Sequence, residues 1–347
     1  MLADELDYVL GVDTHRDEHV IAVVTAPAGA VIAATAAAAS SRGYRELLAV
    51  AGQHAPGRRV WAVEGSGSYG AGLARFLAER GETVLEISRA GAPQRRLKGK
   101  DDALDAARIA RAALAADTLA SPRAGGRREA LRLLLIARGS AVDVRREALT
   151  QLRAVIVTAP DELRQELRGM PVGKLLDRCS RLRRTPAAAD QLATRLVLRS
   201  LARRIQAATV EADELEREIL AHVRALAPRL LDEPGVGPIV AARLIVSWSH
   251  HGRVRSEAAF ARLAGVAPIP ASSGQTTRHR LSRGGDRQLN RALHTIVLHR
   301  RHHDPATKAY IEKRISEGKT RRDATRLLKR YLARHLYRLL NGAPIMT

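Results

Sequence analysis

Hydrophobic and polar positions follow two textures along the chain. Up to residue 87, short apolar runs alternate with amphipathic stretches. Tyr8–Val12, Val20–Thr25, Ala30–Ala34, Arg59–Val63 and Thr83–Ile87 read as strands, because each is short, apolar and bounded by polar or turn-forming residues. Behind a Ser40-Ser41 cap, Tyr44, Leu47, Leu48 and Val50 recur at helical spacing, and Tyr69–Arg80 predicts a second helix. Strands interspersed with helices imply an α/β layer architecture.

From Asp101 onward the period is helical. Asp105–Ala116 reads as one helix, Arg127–Ala159 as a long Leu- and Arg-rich one, and Ala188–Leu226 as another with heptad-like Leu, Ile and Val. Pro171 and Pro186 interrupt the stretch between them. Two long helices joined this way predict a helical hairpin or coiled-coil arm, with dimerisation and packing inside one domain both open as its role. Pro234-Gly235-Val236-Gly237-Pro238 then forms a Gly-rich turn opening a helix. A Gly- and Ser-rich loop spans Gly265–Gly285, and basic helices run to Leu340. The expected layout is an α/β domain over 1–125, a helical coiled-coil region over 126–228 and a mainly helical domain over 229–347.

Charge changes this picture most. Lys and Arg outnumber Asp and Glu by 58 to 36, a formal net charge of +22. From Val266 onward the ratio is 18 to 5. Such an excess opposes compaction unless a polyanion neutralises it, and nucleic acid is the default polyanion. Aromatics are only 3% of residues, which disfavours reading single strands by base stacking and favours contacts to backbone and shape. The lone cysteine, Cys179, excludes an internal disulfide and a cysteine zinc site, and fits a reducing cytoplasm. Val20–Ala39 carries no charge, but Ala26-Pro27-Ala28-Gly29 at its centre is a turn signal, so two strands are expected there and not a membrane span. No basic start precedes it, so no secretory leader is expected.

The candidate chemistry lies in two places. Asp13 ends a strand in VLGVDTHRDEH, and Glu64 ends another in VWAVEGSGSYG. Asp102 and Asp105 in GKDDALDAARIA are three apart at a helix start and share one helix face. The four carboxylates can converge at the carboxyl edge of one sheet, where paired Mg²⁺ ions would activate an attacking oxygen and stabilise a leaving one. Each acid also has a plain reading, as a turn residue, a strand end or a helix N-terminal acid, and a register slip would put Asp101 in place of Asp102. His15, His19 and His279 are set aside as solvated loop histidines.

The order Asp13, Glu64, Asp102, Asp105 resembles that of the DEDD transposases of the insertion sequence 110 family. The GKDDALDA stretch is similar to that family's Lys-x-Asp-x-x-Asp-Ala segment, with Lys100 as its lysine. The resemblance implies an N-terminal RuvC-like, ribonuclease-H-type domain. FARLAGVAPIPASSGQTTRHRLSRGGDRQLNRALH, Phe260–His294, resembles the family's carboxyl-terminal transposase domain. It implies a nucleophilic serine just before a glycine, here Ser273 before Gly274, with Ser272 as the alternative. A serine hydroxyl needs a base or metal to activate it. Gly274 admits close approach of a DNA backbone, while Lys100, Arg278, Arg280, Arg283 and Arg287 are candidate phosphate ligands. The Pro234–Pro238 turn resembles the hairpin of helix-hairpin-helix modules, with an ordinary turn equally open.

The expected function is therefore that of a DNA recombinase and transposase that cleaves and rejoins strands of an insertion sequence. The family further implies Mg²⁺ (Mn²⁺ as substitute), donor and target duplex DNA, and a structured non-coding bridge RNA. It also implies a dimer-to-tetramer homo-oligomer with composite sites, a phosphoserine–DNA intermediate, and a cytoplasmic, nucleoid-associated location without a membrane partner. The rival readings are a RuvC-like junction nuclease using water and a non-catalytic nucleic-acid scaffold.

Overall fold

The structure is a computed structural model that describes residues 4–87, 101–117, 119–183, 188–270, 279–280, 282 and 284–342. The chain divides into two units, Met1–Ala124 and Gly125–Thr347.

The first unit is built on a five-stranded sheet. Its elements are β1 (Tyr8–Thr14), β2 (Glu18–Thr25), β3 (Val31–Ala38), α1 (Ser41–His54), β4 (Arg59–Glu64), α2 (Ala71–Ala78), β5 (Val84–Ile87) and α3 (Asp102–Leu114). The strand order is β3-β2-β1-β4-β5. β1 and β2 form an antiparallel hairpin and β3 joins β2 antiparallel, whereas β4 and β5 run parallel to β1. The uncharged Val20–Ala39 stretch is the β2–β3 pair, and no helix among the described residues is long and apolar enough to cross a membrane. β3 extends to Ala38, past the expected Ala34, because its alanines keep pairing with β2 down to Glu18. Sheet context overrides alanine's weak strand preference here.

Side-chain alternation sorts the two faces of this sheet. Leu10, Val12, Ile21, Val23, Trp61 and Val63 pack with Leu47 of α1 and with Leu73 and Leu77 of α2. On the opposite face Val9, Val24, Val60 and Ala62 pack against Ile109, Ala110 and Ala113 of α3, and Val20 and Ala22 against Ala106. Central strands buried on both sides explain the near-continuous apolar runs of the sequence. Each fully buried large apolar side chain contributes roughly 1.5–3 kcal/mol.

One glycine sets how closely α3 approaches. A Cβ on Gly11 would lie 2.0 Å from the Ala106 carbonyl oxygen and 2.6 Å from the Ala110 nitrogen. The helix backbone therefore lies directly on β1. α3 begins at Asp102 and not Asp105, because the Asp101 carboxylate caps it by accepting hydrogen bonds from the amides of Ala103 and Leu104.

The second unit is helical. Its elements are α4 (Gly126–Val157), α5 (Asp161–Leu167), α6 (Val172–Ser180), α7 (Ala189–Leu226), α8 (Pro238–Trp248), α9 (Glu257–Leu263), β6 (Ile269–Pro270), β7 (His279–Arg280), α10 (Arg287–His303), α11 (Pro305–Ser316) and α12 (Arg321–Gly342). α4 and α7 form the expected hairpin. Leu152 near the end of α4 packs with Leu198 and Leu201 near the start of α7, while Leu131 at the start of α4 packs with Ile219 and Val223 at the end of α7. The two long helices therefore run antiparallel. α5 and α6 cover the far end of the hairpin through Leu163, Leu167, Leu175 and Cys179. Burial pushes the Cys179 thiol up to about 11, so it packs as a protonated group.

The expected boundary near residue 228 falls inside this unit. Leu131, Ile219 and Val223 share one core with Trp248, Phe260, Leu293, Ile296 and Leu336, so the base of the hairpin and the C-terminal helices fold around the same residues. In the Pro234–Pro238 turn Val236 is buried in the core, whereas Pro234 and Gly237 are exposed. Gly235, at φ +83°, lies against His299 and the Ile296 carbonyl, and the Pro234 carbonyl accepts a 2.8 Å hydrogen bond from Arg300 Nε.

Candidate active site

The carboxyl ends of β1 and β4 lie side by side, because those strands are parallel neighbours with Val12 opposite Val63. Asp13 follows Val9 and Gly11 on the α3-facing side. Glu64 follows Val60 and Ala62 on that same side. The next step of the register thus puts both acids on one face of one sheet edge. The two strand ends are also tied directly, the Thr14 hydroxyl donating to the Glu64 carbonyl at 2.8 Å.

Asp102 reaches this edge from the first residue of α3. His15 Nε2 lies 3.4 Å from Asp13 Oδ2 and 3.7 Å from Asp102 Oδ2. One ligand atom from each of Asp13, His15 and Asp102 lies within 4.8 Å of the other two. His15 opens the turn that leads into β2, its amide donating to the Glu18 carbonyl at 3.0 Å. The ring nitrogen facing the carboxylates is shielded from solvent and makes no hydrogen bond. Asp105, one turn further along α3, bonds Arg108 at 2.7 Å. Glu64 and Asp105 flank the three-residue cluster without joining it.

The structure therefore brings together Asp13 and Asp102, sets Glu64 on the neighbouring strand and Asp105 one helical turn away, and adds His15. The signal for His15 was its spacing: two residues after Asp13 on an extended chain is the same face. His19 does not belong to this site. It faces the other side of the sheet, buried and stacked on Tyr44 with ring centroids 5.7 Å apart, and burial holds its imidazole below the ordinary value. Asp101 is consumed as a helix cap.

In the second unit, Arg280 lies exposed in β7 and Arg287 exposed at the start of α10. Ser272, Ser273, Gly274, Arg278 and Arg283 fall outside the described residues, as does Lys100, and only the backbone of His279 is described. The frame around the serine segment is described. β6 pairs with β7, Ile269 opposite Arg280. Gly265 and Gly285, both at positive φ, come close enough that a Cβ on Gly285 would lie 2.9 Å from the Gly265 nitrogen. The Asp286 amide closes the frame on the Leu263 carbonyl at 2.7 Å.

Two family models match the chain. A DEDD transposase model of the IS110 type covers residues 10–159, and the transposase model of the IS116/IS110/IS902 family covers 227–312. The first contains the whole acidic edge and the second the serine segment. The chain belongs to the IS110 family of DEDD transposases. Among individual relatives, the chain is 34% identical over 148 residues to the "Insertion element IS110 uncharacterized 43.6 kDa protein" of Streptomyces coelicolor. That alignment spans 42% of the chain and 36% of the relative. It is 27% identical over 386 residues to the "Insertion element IS900 uncharacterized 42 kDa protein" of Mycobacterium paratuberculosis, covering 96% of each.

Proposed function

We propose that this transposase cleaves and rejoins DNA strands of an insertion sequence, using the acidic edge of the first unit and the Ser273 hydroxyl of the second. The observation that carries the reading is the meeting of Asp13, His15 and Asp102 within 4.8 Å beside Glu64. Carboxylates so placed repel one another, and a bound cation relieves that repulsion. The strand order β3-β2-β1-β4-β5, with an antiparallel meander beside two parallel strands, supports a RuvC-like, ribonuclease-H-type domain.

The donor set fits a divalent cation. Asp13 and Asp102 offer hard oxygens, and the shielded His15 nitrogen has no other partner. Asp13, Glu64, Asp102 and Asp105 would hold Mg²⁺, with His15 as a further donor. An imidazole nitrogen also suits softer metals than Mg²⁺, so Mn²⁺ is an expected substitute. Bound there, the metal supplies Lewis-acid polarisation of a phosphoryl oxygen.

The chain's own groups then act as follows. Ser273 Oγ attacks the scissile phosphorus and loses its proton, a P–O ester to serine forms, and the P–O bond to the leaving hydroxyl breaks as that oxygen gains a proton. Attack by the hydroxyl of a second strand reverses the step, releasing serine and joining the new strands. Gly274 gives the backbone room beside the phosphate, and Lys100, Arg278, Arg280, Arg283 and Arg287 hold neighbouring phosphates. A structured non-coding RNA selects donor and target duplexes, and a dimer or tetramer assembles the strands in the cytoplasm on the nucleoid. The net charge of +22 and the scarcity of aromatics support backbone-dominated binding to both nucleic acids.

The test is strand exchange on the element's own ends by purified full-length protein with Mg²⁺ and the flanking RNA. Ser273→Ala should abolish it, and Asp13→Asn should lower it by ~10²–10³-fold. Exchange retained by Ser273→Ala would instead favour hydrolysis by water.

A further inference from the structure

A cleft of about 760 Å³ opens in the second unit between the base of the β6–β7 hairpin and the face formed by α10 and α12. That volume lies within the ~300–1,000 Å³ range of ligand pockets. One wall is Val266, Ala267 and Pro268. The opposite wall carries Lys319, Arg322, Arg326, Lys329 and Arg330, and Arg280 closes the hairpin side. Among the lining residues, one carboxylate faces these six cations, that of Asp323. Asp323 is already engaged, accepting from the Thr320 hydroxyl at 2.6 Å and pairing with Arg326 at 3.1 Å.

The sequence of α12 produces this wall. Arg322, Arg326, Lys329 and Arg330 follow a spacing of four, seven and eight, which places them on one helix face. Like charges at that spacing destabilise an isolated helix. Lys329 is held at the cleft by its 3.1 Å bond to Asn290 Oδ1, and Asn290 is itself fixed by its 2.7 Å bond to the Ala264 carbonyl. Burial and the neighbouring Arg326 hold the Lys329 ammonium below the ordinary lysine range.

We propose that this cleft is a phosphodiester seat that grips the backbone of the DNA strand entering the serine hairpin. Guanidinium and ammonium groups on one wall take consecutive phosphates, and the apolar Val266–Pro268 wall faces the sugars. Among the described residues no Phe, Tyr or Trp lines the cleft and six cations do, which favours contacts to phosphates over reading of bases. The proposal rests on the reading of the chain as acting on DNA, but not on which group attacks the phosphorus.

The test is equilibrium binding of full-length protein to a labelled DNA duplex across a salt series, without divalent metal so that no strand is cut. Arg322→Gln combined with Arg330→Gln should weaken binding about tenfold and lower the slope of log K against log salt by about two, equally on unrelated sequences. The Arg322→Lys, Arg330→Lys protein should keep the wild-type slope, and unchanged melting of both variants should show that the fold is intact. An unaltered slope in the Gln variant overturns the proposal. So does a loss confined to a structured RNA hairpin, or to a free nucleoside triphosphate used as competitor. Failure of the strand-exchange reading would appear as exchange by Ser273→Ala, which leaves this slope untouched.

Discussion

The two units divide the electrostatics of the molecule sharply. Residues 1–124 carry 15 Lys and Arg against 15 Asp and Glu, whereas residues 125–347 carry 43 against 21. The entire formal charge of +22 therefore belongs to the helical unit. The first unit brings Asp13 and Asp102 together at one sheet edge, and the second lines a cleft with cations. A carboxylate site in a field of excess arginine would lose its cations to ion pairing, and a neutral unit would not concentrate DNA. The acidic edge thus sits in a unit of zero net formal charge, and the excess cations sit in the helical one.

The largest expected effect breaks this division on the acidic side. Asp13→Asn should lower Mg²⁺-dependent strand cleavage by ~10²–10³-fold, the cost of losing one charge-stabilising group. DNA affinity without metal should stay within about twofold, because all the proposed phosphate ligands but Lys100 lie in the other unit. Gel-based cleavage and anisotropy on one preparation measure both, and a parallel loss of affinity would erase the separation.

His15→Ala comes next. Its ring nitrogen reaches both carboxylates, so metal affinity should fall by about tenfold or more, the range seen when groups supporting a metal site are removed. Isothermal titration with Mn²⁺ measures this, and affinity equal to wild type would remove His15 from the site.

These two residues also mark how much of the site was legible. Asp13 and Glu64 could be read as strand ends, and parallel pairing of β1 with β4 places them together. His15 reads from sequence as one more loop histidine, and such residues are usually solvated. Its spacing from Asp13 gives the face, but its approach to Asp102 depends on where α3 begins, which the sequence pattern does not fix. Asp101 was an open alternative to Asp102 until the cap geometry separated them, since a one-residue choice at a helix start depends on tertiary contacts. The long helices were legible from their apolar period. The shared core of Leu131 and Ile219 with Trp248 was not, because heptad patterning does not name its partner. The basic wall of α12 read only as charge until α10 and the β6 side of the hairpin gave it a floor and an opposite wall.

Gly11→Ala should have a smaller effect that links fold to site. An added Cβ meets the backbone of α3, so overpacking should cost about 1–3 kcal/mol and displace the helix that carries Asp102. Urea unfolding measures the stability, and Mn²⁺ affinity should fall with it. Stability unchanged by the substitution would show that α3 is not seated on β1.

The smallest effect is a pH response confined to the first unit. Glu82 bonds Arg59 and accepts from the Trp61 indole at 2.8 Å, and the Arg59 guanidinium holds its carboxyl below the ordinary 4.5. A lowered carboxyl contributes its full stability above the unfolded value and loses it as the pH falls through the folded one. Stability should therefore decline below about pH 4.5, and Glu82→Gln should cost about 1–3 kcal/mol at neutral pH while flattening that decline. Trp61 fluorescence during acid unfolding reports it, and an identical acid limb in the variant would assign the transition to other groups.

In the proposed reaction a hydroxyl from the basic unit completes the chemistry of the acidic edge. The direct measurement is mass mapping of the protein after trapping on end-labelled element DNA with Mg²⁺ and the flanking RNA. A covalent DNA adduct should form on Ser273 and disappear in both Ser273→Ala and Asp13→Asn. Cleaved DNA bearing no protein adduct, or an adduct that persists in Ser273→Ala, would contradict it.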